Sequence, residues 1–432
     1  MTSVSGEAWF TDPALVSVLA LLNDEGGEAR VAGGAVRNSL MGLPVADVDI
    51  ATTLRPEAVV ERAKAVGIKA VPTGIAHGTV TLVLEGKPFE VTTLRRDVST
   101  DGRHAEVAFG TDWQADAERR DLTINALYAG KDGTVVDLVN GLPDIESRTV
   151  RFIGDASARI AEDHLRILRF FRFFALYGSG RPDAEGLKAC ARAKETLSKL
   201  SAERVWSETK KLLAAPDPGR ALLWMRQAGV LTAVLPETEK WGIDAIPGLI
   251  EAEKAFGWTP DLLLRLAAIV PPDRERLGLL SERLRLSKAE AAVLDHWASA
   301  PQIAPKLAET AFDRLLYRHG PQGLSFRLKL ALASARTRGL ADPDALAFAG
   351  LCQRLLARAG KWQKPAFPLN GADVLAAGVP AGPKVGAVLG RIEEEWVTGN
   401  FRDERARLLV RLEEVVKGER PLPNPSPQGG GT

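Results

Sequence analysis

Residues 31–53, VAGGAVRNSLMGLPVADVDIATT, constrain this chain more than any other stretch. Their pattern predicts strand, glycine turn, short helix, turn and strand. Gly33 and Gly34 follow a small apolar run, and two successive glycines let backbone N–H groups face an anion closely. Arg37 falls about one helical turn later, placed to reach a phosphate. Side chains alternate along a strand, so Asp47 and Asp49 share one face while Val48 and Ile50 point to the core. A glycine pair alone reads as a turn, and an Asp-x-Asp pair alone as a solvated edge. Two carboxylates on one face beside a Gly-rich turn and an arginine suggest more: a site for a magnesium nucleoside triphosphate.

Composition sets the outer limits. The chain has 432 residues, 45% hydrophobic and 26% charged, with a formal net charge of +1. That is ordinary for a globular protein with room for about two to four domains, and any nucleic-acid surface must be a local patch. Cys190 and Cys352 lie far apart and imply neither a disulfide framework nor a zinc site, so a reducing compartment fits. Glu7 and the lack of an apolar stretch after basic residues predict no signal peptide. No run reaches the roughly 20 apolar residues of a membrane span. The expected location is the cytoplasm, with no membrane partner.

Helical spacing of Leu15, Val16, Leu19 and Leu22 predicts a helix over 13–22, and a second is predicted over 56–66. Residues 73–84 and 88–93 read as two strands joined by a short turn at Glu85-Gly86-Lys87. Glu90 alternates with Phe89 and Val91 on the second. It reads either as an exposed strand residue or as a third carboxylate for the pair at 47 and 49. Residues 94–118 have little periodicity and many charges, which predicts a loop. Arg119-Arg120-Asp121-Leu-Thr-Ile-Asn125 leads into a predicted helix start, where Asp121 can serve as an N-cap. A strand is predicted at 134–138, followed by a turn-rich segment through Asp144.

Asp163, Arg166, Arg169 and Arg172 then recur every third residue. On one helix such a row rises about 4.5 Å per step and spans roughly 13–14 Å, the length of an extended nucleotide. The plain reading is a solvated stripe of ion pairs. The sharper one rests on hydrogen-bond chemistry. Cytosine and adenine both present an amino donor next to a ring-nitrogen acceptor. A carboxylate takes the first and a guanidinium gives to the second, whereas uracil and guanine invert both groups. Asp163 and Arg166, three apart and able to touch, could form such a reader without a template. Arg169 and Arg172 would serve the phosphates or the frame of the site.

GGAVRN followed by ADVDIATT resembles the opening motif of the class II nucleotidyltransferases, which include the tRNA CCA-adding enzymes and bacterial poly(A) polymerases. Asn38 stands where that family more often has Asp. RRDLTINA resembles the second family motif, implying a nucleotide contact at Arg120. TGIAHGTVT resembles the CCA-adding branch, and the family pattern favours Glu90 as a metal ligand. His77 reads as a structural turn residue. For 94–118 the resemblance implies a flexible loop needed for the final A, with Arg96, Asp97, Asp101 and Arg103 as its charged members. DLVNGLPD resembles a hinge, with Asn140 tolerating left-handed angles in place of glycine. Glu162-Asp163-His-Leu-Arg166 resembles the base-reading motif. Glu203, Arg204 and Glu208 fall in a motif that braces the neck. Residues 367–386 resemble a tail segment in which Gly371, Asp373, Gly382 and Lys384 either touch tRNA backbone or serve structure alone.

The implied fold class is α+β: a nucleotidyltransferase head with a mixed sheet, then helical neck, body and tail. The expected divisions are a leader helix over 1–27, head 28–150, neck 151–215, body 216–360, tail 361–418 and a disordered Pro/Gly-rich end at 419–432. Helices are expected near 183–200, 202–213, 218–229, 261–269, 287–296, 312–319 and 345–359. The implied activity is template-independent addition of C, C and A to the tRNA 3′ end from CTP and ATP, with Mg²⁺ held by Asp47, Asp49 and Glu90. An A-adding enzyme, a poly(A) polymerase and a catalytically silent RNA-binding protein are the alternatives.

Overall fold

The computed structural model describes residues 2–75, 78–101, 104–239, 241–339 and 342–418, with backbone alone for 96–101 and 104–107. His77, Arg103, the end at 419–432 and the side chains of Arg96, Asp97 and Asp101 therefore lie outside the described residues. Two compact units are present. One comprises Met1–Ile246, Pro260–Pro271 and Leu280–Leu286; the other comprises Pro247–Thr259, Pro272–Leu279 and Ser287–Thr432.

The first unit opens with α1 (Pro13–Leu22), started by Asp12, whose carboxylate accepts the Ala14 N–H at 3.0 Å. Next come β1 (Ala29–Ala32), α2 (Gly34–Leu40), β2 (Asp49–Thr52), α3 (Pro56–Ala65), β3 (Lys69–Gly74), β4 (Thr79–Leu84) and β5 (Lys87–Thr93). After them lie β6 (Arg95–Asp101), β7 (His104–Phe109), α4 (Trp113–Glu118), β8 (Leu127–Ala129) and β9 (Val135–Asp137). Seven strands form one sheet in the order β3-β4-β5-β2-β1-β8-β9. The β2–β5 pair is parallel and the other pairs are antiparallel, so the sheet is mixed, as the α+β expectation holds. Register places Ala32 opposite Asp49, and Asp49 opposite Glu90. The glycine turn after β1 and the two carboxylates thus meet at one end of three neighbouring central strands.

The expected loop at 94–118 is instead a β6–β7 ladder followed by α4. A separate two-stranded ribbon needs no buried face, so it leaves no alternating hydrophobic signature to read. Asp112 starts α4 by accepting the Gln114 N–H at 2.9 Å. The helix start expected after Asp121 is only a 3₁₀ turn, Thr123–Asn125, and Asp121 does not cap it. Asn140 does take the left-handed conformation, φ 62° and ψ 43°. Beside it Gly141 is required, because a Cβ there would stand 2.5 Å from the Thr123 carbonyl oxygen.

The helical part of this unit contains α5 (Gly141–Glu146), α6 (Ala156–Glu162), α7 (Arg166–Tyr177), α8 (Ala184–Ala193) and α9 (Ala202–Leu213). The row from Asp163 to Arg172 does not lie on one helix. Asp163 is extended, φ −151° and ψ 108°, and its Oδ1 accepts the Leu165 N–H at 3.1 Å, which ends α6 and starts α7. Helix α7 buries Ile167, Leu168, Phe170, Phe171, Phe173 and Phe174. Phe170 stacks on Phe152 with centroids 5.2 Å apart, and such ring pairs add about 0.5–1.5 kcal/mol beyond area burial. The fully buried Arg265 donates to the carbonyls of Leu213 at 2.6 Å and Ala215 at 2.5 Å, satisfying the C-terminus of α9.

In the second unit, helices Lys288–Ser299, Glu309–His319, Pro321–Gly339 and Pro343–Gly360 pack around Phe312, Leu316, Leu324, Leu328 and Leu355. The helix Pro321–Gly339 was not expected. Its buried residues, Gly323, Leu324, Phe326, Leu328, Leu332, Ala333 and Ala335, are not confined to one stripe, which hides the helical period. Helices Gly371–Ala376, Pro383–Thr398 and Arg405–Gly418 close on Val374, Ile392, Trp396 and Leu412. Asp373 is built into this frame: it accepts the Asn370 N–H at 2.9 Å and pairs with Arg405. Gly382 precedes the helix that begins at Pro383, and Lys384 is exposed.

Candidate active site

A cleft of about 600 Å³ in the first unit gathers most of the residues singled out from sequence. Gly33 and Gly34 line one wall, Asp49 and Glu90 the end of the sheet, Arg120 the floor, and Asp163, Arg166, Arg169 and Arg172 the helical side. Asp47 is exposed on the connection just before β2. Gly33 has φ 68°, and a Cβ there would approach the Asn125 carbonyl oxygen at 3.1 Å and the Arg120 guanidinium at 3.3 Å. A glycine is therefore needed for both the turn and the closeness of Arg120.

Asp49 is exposed at the head of β2, yet partial desolvation at the cleft, then the charges of Glu90 and Asp47, push its carboxyl above the ordinary range, with Arg120 opposing. Among the described residues, no three His, Cys, Asp or Glu side chains form a ready-made metal cluster. The donor set nonetheless suits a hard divalent cation. Mg²⁺ is commonly held by one or two carboxylates, with waters and substrate phosphates completing its shell. Like charges crowded around one carboxylate, as at Asp49, are what such a cation relieves.

Almost every arginine of the cleft is held by a named partner. Asp116, buried, accepts from Arg119 Nε at 2.8 Å, Arg120 Nη2 at 3.1 Å and the Tyr128 hydroxyl at 2.7 Å. Burial pushes its carboxyl up, but Arg120 and Arg119 outweigh that and hold it below the usual range. Asp121 accepts from Arg169 Nε at 2.6 Å and from the Asn125 amide at 3.1 Å, and Arg169 likewise overcomes burial to lower its pKa. Arg172 pairs with buried Glu208 at 2.6 Å. Arg169 and Arg172 are thus each held by a carboxylate while lining the cleft.

Arg37, expected to reach a phosphate, lines the cleft and is only 6% exposed. It donates to Asn125, to the Asn38 side chain at 2.8 Å and to the Tyr177 hydroxyl at 2.7 Å, and lies 4.0 Å over the Tyr177 ring. These bonds use four of its five N–H groups and brace α2 against α7, and burial lowers its pKa.

The reader pair also differs from expectation. The side chains of Asp163 and Arg166 do not pair with each other, although the Arg166 backbone N–H donates to the Asp163 carbonyl at 3.0 Å. Asp163 Oδ2 accepts from Arg204 Nη2 at 2.7 Å, while Arg166 pairs with Glu162 at 2.6 Å and donates to the carbonyls of Arg159 at 3.0 Å and Arg119 at 3.1 Å. The break after α6 turns Asp163 toward α9 and away from the i+3 position. Arg204, read from sequence as scaffold, lines the cleft, whereas Glu203 pairs outward with Arg285 and Glu208 does brace. Asp116 was missed. Its spacing to Arg119 and Arg120, three and four residues, was a visible signal of a helix-borne pair.

Similarity to known proteins agrees with this geometry. The family model of the poly A polymerase head domain matches residues 29–151, and one described as "Probable RNA and SrmB- binding site of polymerase A" matches 181–241. The chain is 36% identical over 426 residues to CCA tRNA nucleotidyltransferase 1, mitochondrial, of Mus musculus, covering 95% of this chain and 92% of that protein. It is 33% identical over 408 residues to the CCA-adding enzyme of Geobacillus thermodenitrificans, covering 92% and 96%. Among solved structures, the Bacillus stearothermophilus CCA-adding enzyme in complex with CTP superposes with a TM-score of 0.66 at 29% identity, covering 94% of this chain and 97% of that one. Identity above 30% over more than nine-tenths of the chain, together with the matched head domain, makes this chain a member of the CCA tRNA nucleotidyltransferase family.

Proposed function

We propose that the chain adds C, C and A in turn to the 3′ end of tRNA, taking CTP and ATP and releasing pyrophosphate. The carrying observation is the convergence in one cleft of the glycine turn, Asp49 with Glu90, Arg120, and the Asp163 and Arg166 side chains. Residues 28–150 act as the head that holds the triphosphate, and 151–215 as the neck that reads the base.

In this reading Asp47 and Asp49, with Glu90 beside them, would hold divalent metal, best satisfied by Mg²⁺. When bound, the metal activates the tRNA 3′-hydroxyl and neutralises the departing pyrophosphate. The backbone at Gly33 and Gly34 and the Arg120 guanidinium face the nucleotide's sugar and phosphates. Asp163 accepts the exocyclic amino group of cytosine or adenine, and Arg166 donates to the adjacent ring nitrogen. An ionised carboxylate offers about four acceptor sites. Asp163 uses one on Arg204 and one on the Leu165 N–H, so room remains for the base. Arg166 is aimed by Glu162 and by two backbone carbonyls. Uracil or guanine would leave both side chains facing like groups, at roughly 1–3 kcal/mol per unsatisfied group.

Purified chain with Mg²⁺ and tRNA ending at its discriminator base tests this. Two C and one A followed by a halt is the expected product. A alone, added to tRNA ending in CC, would mark an A-adding enzyme, and long A tails on any RNA a poly(A) polymerase. No incorporation beyond an Asp47→Ala control would leave RNA binding alone.

Gly371, Asp373, Gly382 and Lys384 we assign to tRNA contact, with exposed Lys384 the strongest of them and Asp373 acting through its frame. Free, buried Cys190 and Cys352 support a reducing compartment such as the cytoplasm. Among the described residues, no helix is long and apolar enough to cross a membrane.

A further inference from the structure

Residues 43–48 link α2 to β2 without regular structure, and Asp47 rides on this link. The hydrogen bonds described for this stretch both go to Asn38. Its backbone carbonyl accepts the Leu43 N–H at 2.8 Å, and its side-chain Nδ2 donates to the Pro44 carbonyl at 2.9 Å. The other end of the same amide faces a cation: Oδ1 accepts from Arg37 Nε at 3.1 Å and Nη2 at 2.8 Å. Asn38 thus uses both halves of its amide, with Arg37 fixed in turn by Asn125 and Tyr177. A carboxylate at this position could serve Arg37 equally well. It could not donate to Pro44 and would set oxygen against oxygen there.

We propose that Asn38 is a positioning residue for Asp47, tethering the 43–48 link through the Pro44 carbonyl so that the Asp47 carboxylate stays beside Asp49 for divalent metal. The proposal rests on the assignment of Asp47 and Asp49 as metal ligands. Asp47 is exposed and lies on an irregular segment behind Gly42, which has φ 67°. With the tether cut, the segment spreads over more conformations, and metal binding must first reorder it. Nucleotide contacts from Arg120, Asp163 and Arg166 come from other elements and do not depend on this link.

The test uses the full chain in four forms: wild type, Asn38→Asp, Asn38→Ala and Asp47→Ala. Asn38→Asp keeps an acceptor for Arg37 and Asn38→Ala adds no charge, so the two share only the loss of the Nδ2 donor. Mn²⁺ binding is read from the free-ion electron paramagnetic resonance signal, and ATP binding is measured in EDTA. Both Asn38 variants are expected to weaken Mn²⁺ binding and raise the Mg²⁺ needed for half-maximal CTP incorporation by about 3- to 10-fold, the worth of one neutral hydrogen bond, with ATP binding in EDTA held within about 2-fold. Unchanged Mn²⁺ binding in both, with a loss in Asp47→Ala, would overturn the tether while sparing the ligand assignment. An equal loss of ATP binding in EDTA would also overturn it, as general distortion. Unchanged Mn²⁺ binding in Asp47→Ala would remove the ligand assignment itself and the proposal with it.

Discussion

Arg204→Met probes the least anticipated part of the site. Arg204 Nη2 holds Asp163 Oδ2 at 2.7 Å, and the two side chains are 31% and 27% exposed. Two unit charges about 4 Å apart attract by about 4 kcal/mol at an effective dielectric of 20 and about 1 kcal/mol in water. Partial exposure and the ordering of two long side chains reduce the net worth of such a pair to ~1 kcal/mol. Methionine keeps the packing volume of the stem and removes the charge. The carboxylate then loses its fixed direction toward the base, and ~1 kcal/mol corresponds to about a 5-fold loss in kcat/KM for CTP and ATP. UTP never gains from Asp163, so its slow incorporation should change little and the CTP:UTP preference should fall by a similar factor. Single-nucleotide incorporation of CTP or UTP on tRNA lacking its 3′ end, and of ATP on tRNA ending in CC, measures this. A loss shared equally by CTP and UTP would refute the reasoning, because it would make Arg204 a brace of the fold and not an aiming partner of Asp163.

Four other substitutions test separate links. Asp49→Ala should remove incorporation by about 1000-fold or more, as loss of a metal-holding carboxylate in a site of this chemistry does. Glu90→Gln should cost about 100-fold if the side chain is a ligand, and less than about 5-fold if it is an exposed strand residue opposite Asp49, so kcat decides between the two. The raised Asp49 carboxyl binds its proton more tightly in the folded chain than in the unfolded one. Its contribution therefore favours folding at low pH and is lost as pH rises through the folded value. Asp49→Asn should accordingly raise the melting temperature at pH 7 without metal, and that gain should shrink as the pH falls toward the ordinary carboxylate range. Phe170→Ala, which empties the fully buried ring stacked on Phe152, should cost about 3–5 kcal/mol in denaturant unfolding.

The sequence by itself determined the parts whose physics is local. Helix α1 begins and ends where the apolar spacing and the Asp12–Pro13 start place it, and the pair of strands around Glu85-Gly86 follows from alternation and a turn that tolerates positive φ. The pattern GGAVRN…DVDI was enough to expect the glycine turn and Asp49 at one cleft, because a strand, a turn and a second strand lie within one short segment, whereas Asp47 falls on the link before β2 and not on the strand face expected for it. Asn140 could be placed in the left-handed region because few side chains tolerate it.

What tertiary structure decided was pairing between distant segments. Spacing of three suggested that Asp163 would meet Arg166, yet a break between α6 and α7 sends Asp163 to Arg204, 41 residues on, and leaves Arg166 to Glu162. Arg37 stood one helical turn past the glycines, as a phosphate contact would, but Tyr177, 140 residues later, claims its guanidinium. The β6–β7 ribbon and the helix Pro321–Gly339 escaped for another reason: residues 94–118 show little periodicity in sequence, and the helix buries residues on several faces, so neither carries a periodic stripe. Hydrophobic period reports one-sided burial, and residue spacing reports neighbours on the same element. Which arginine meets which carboxylate depends on how separate elements pack, and that information resides only in the folded chain.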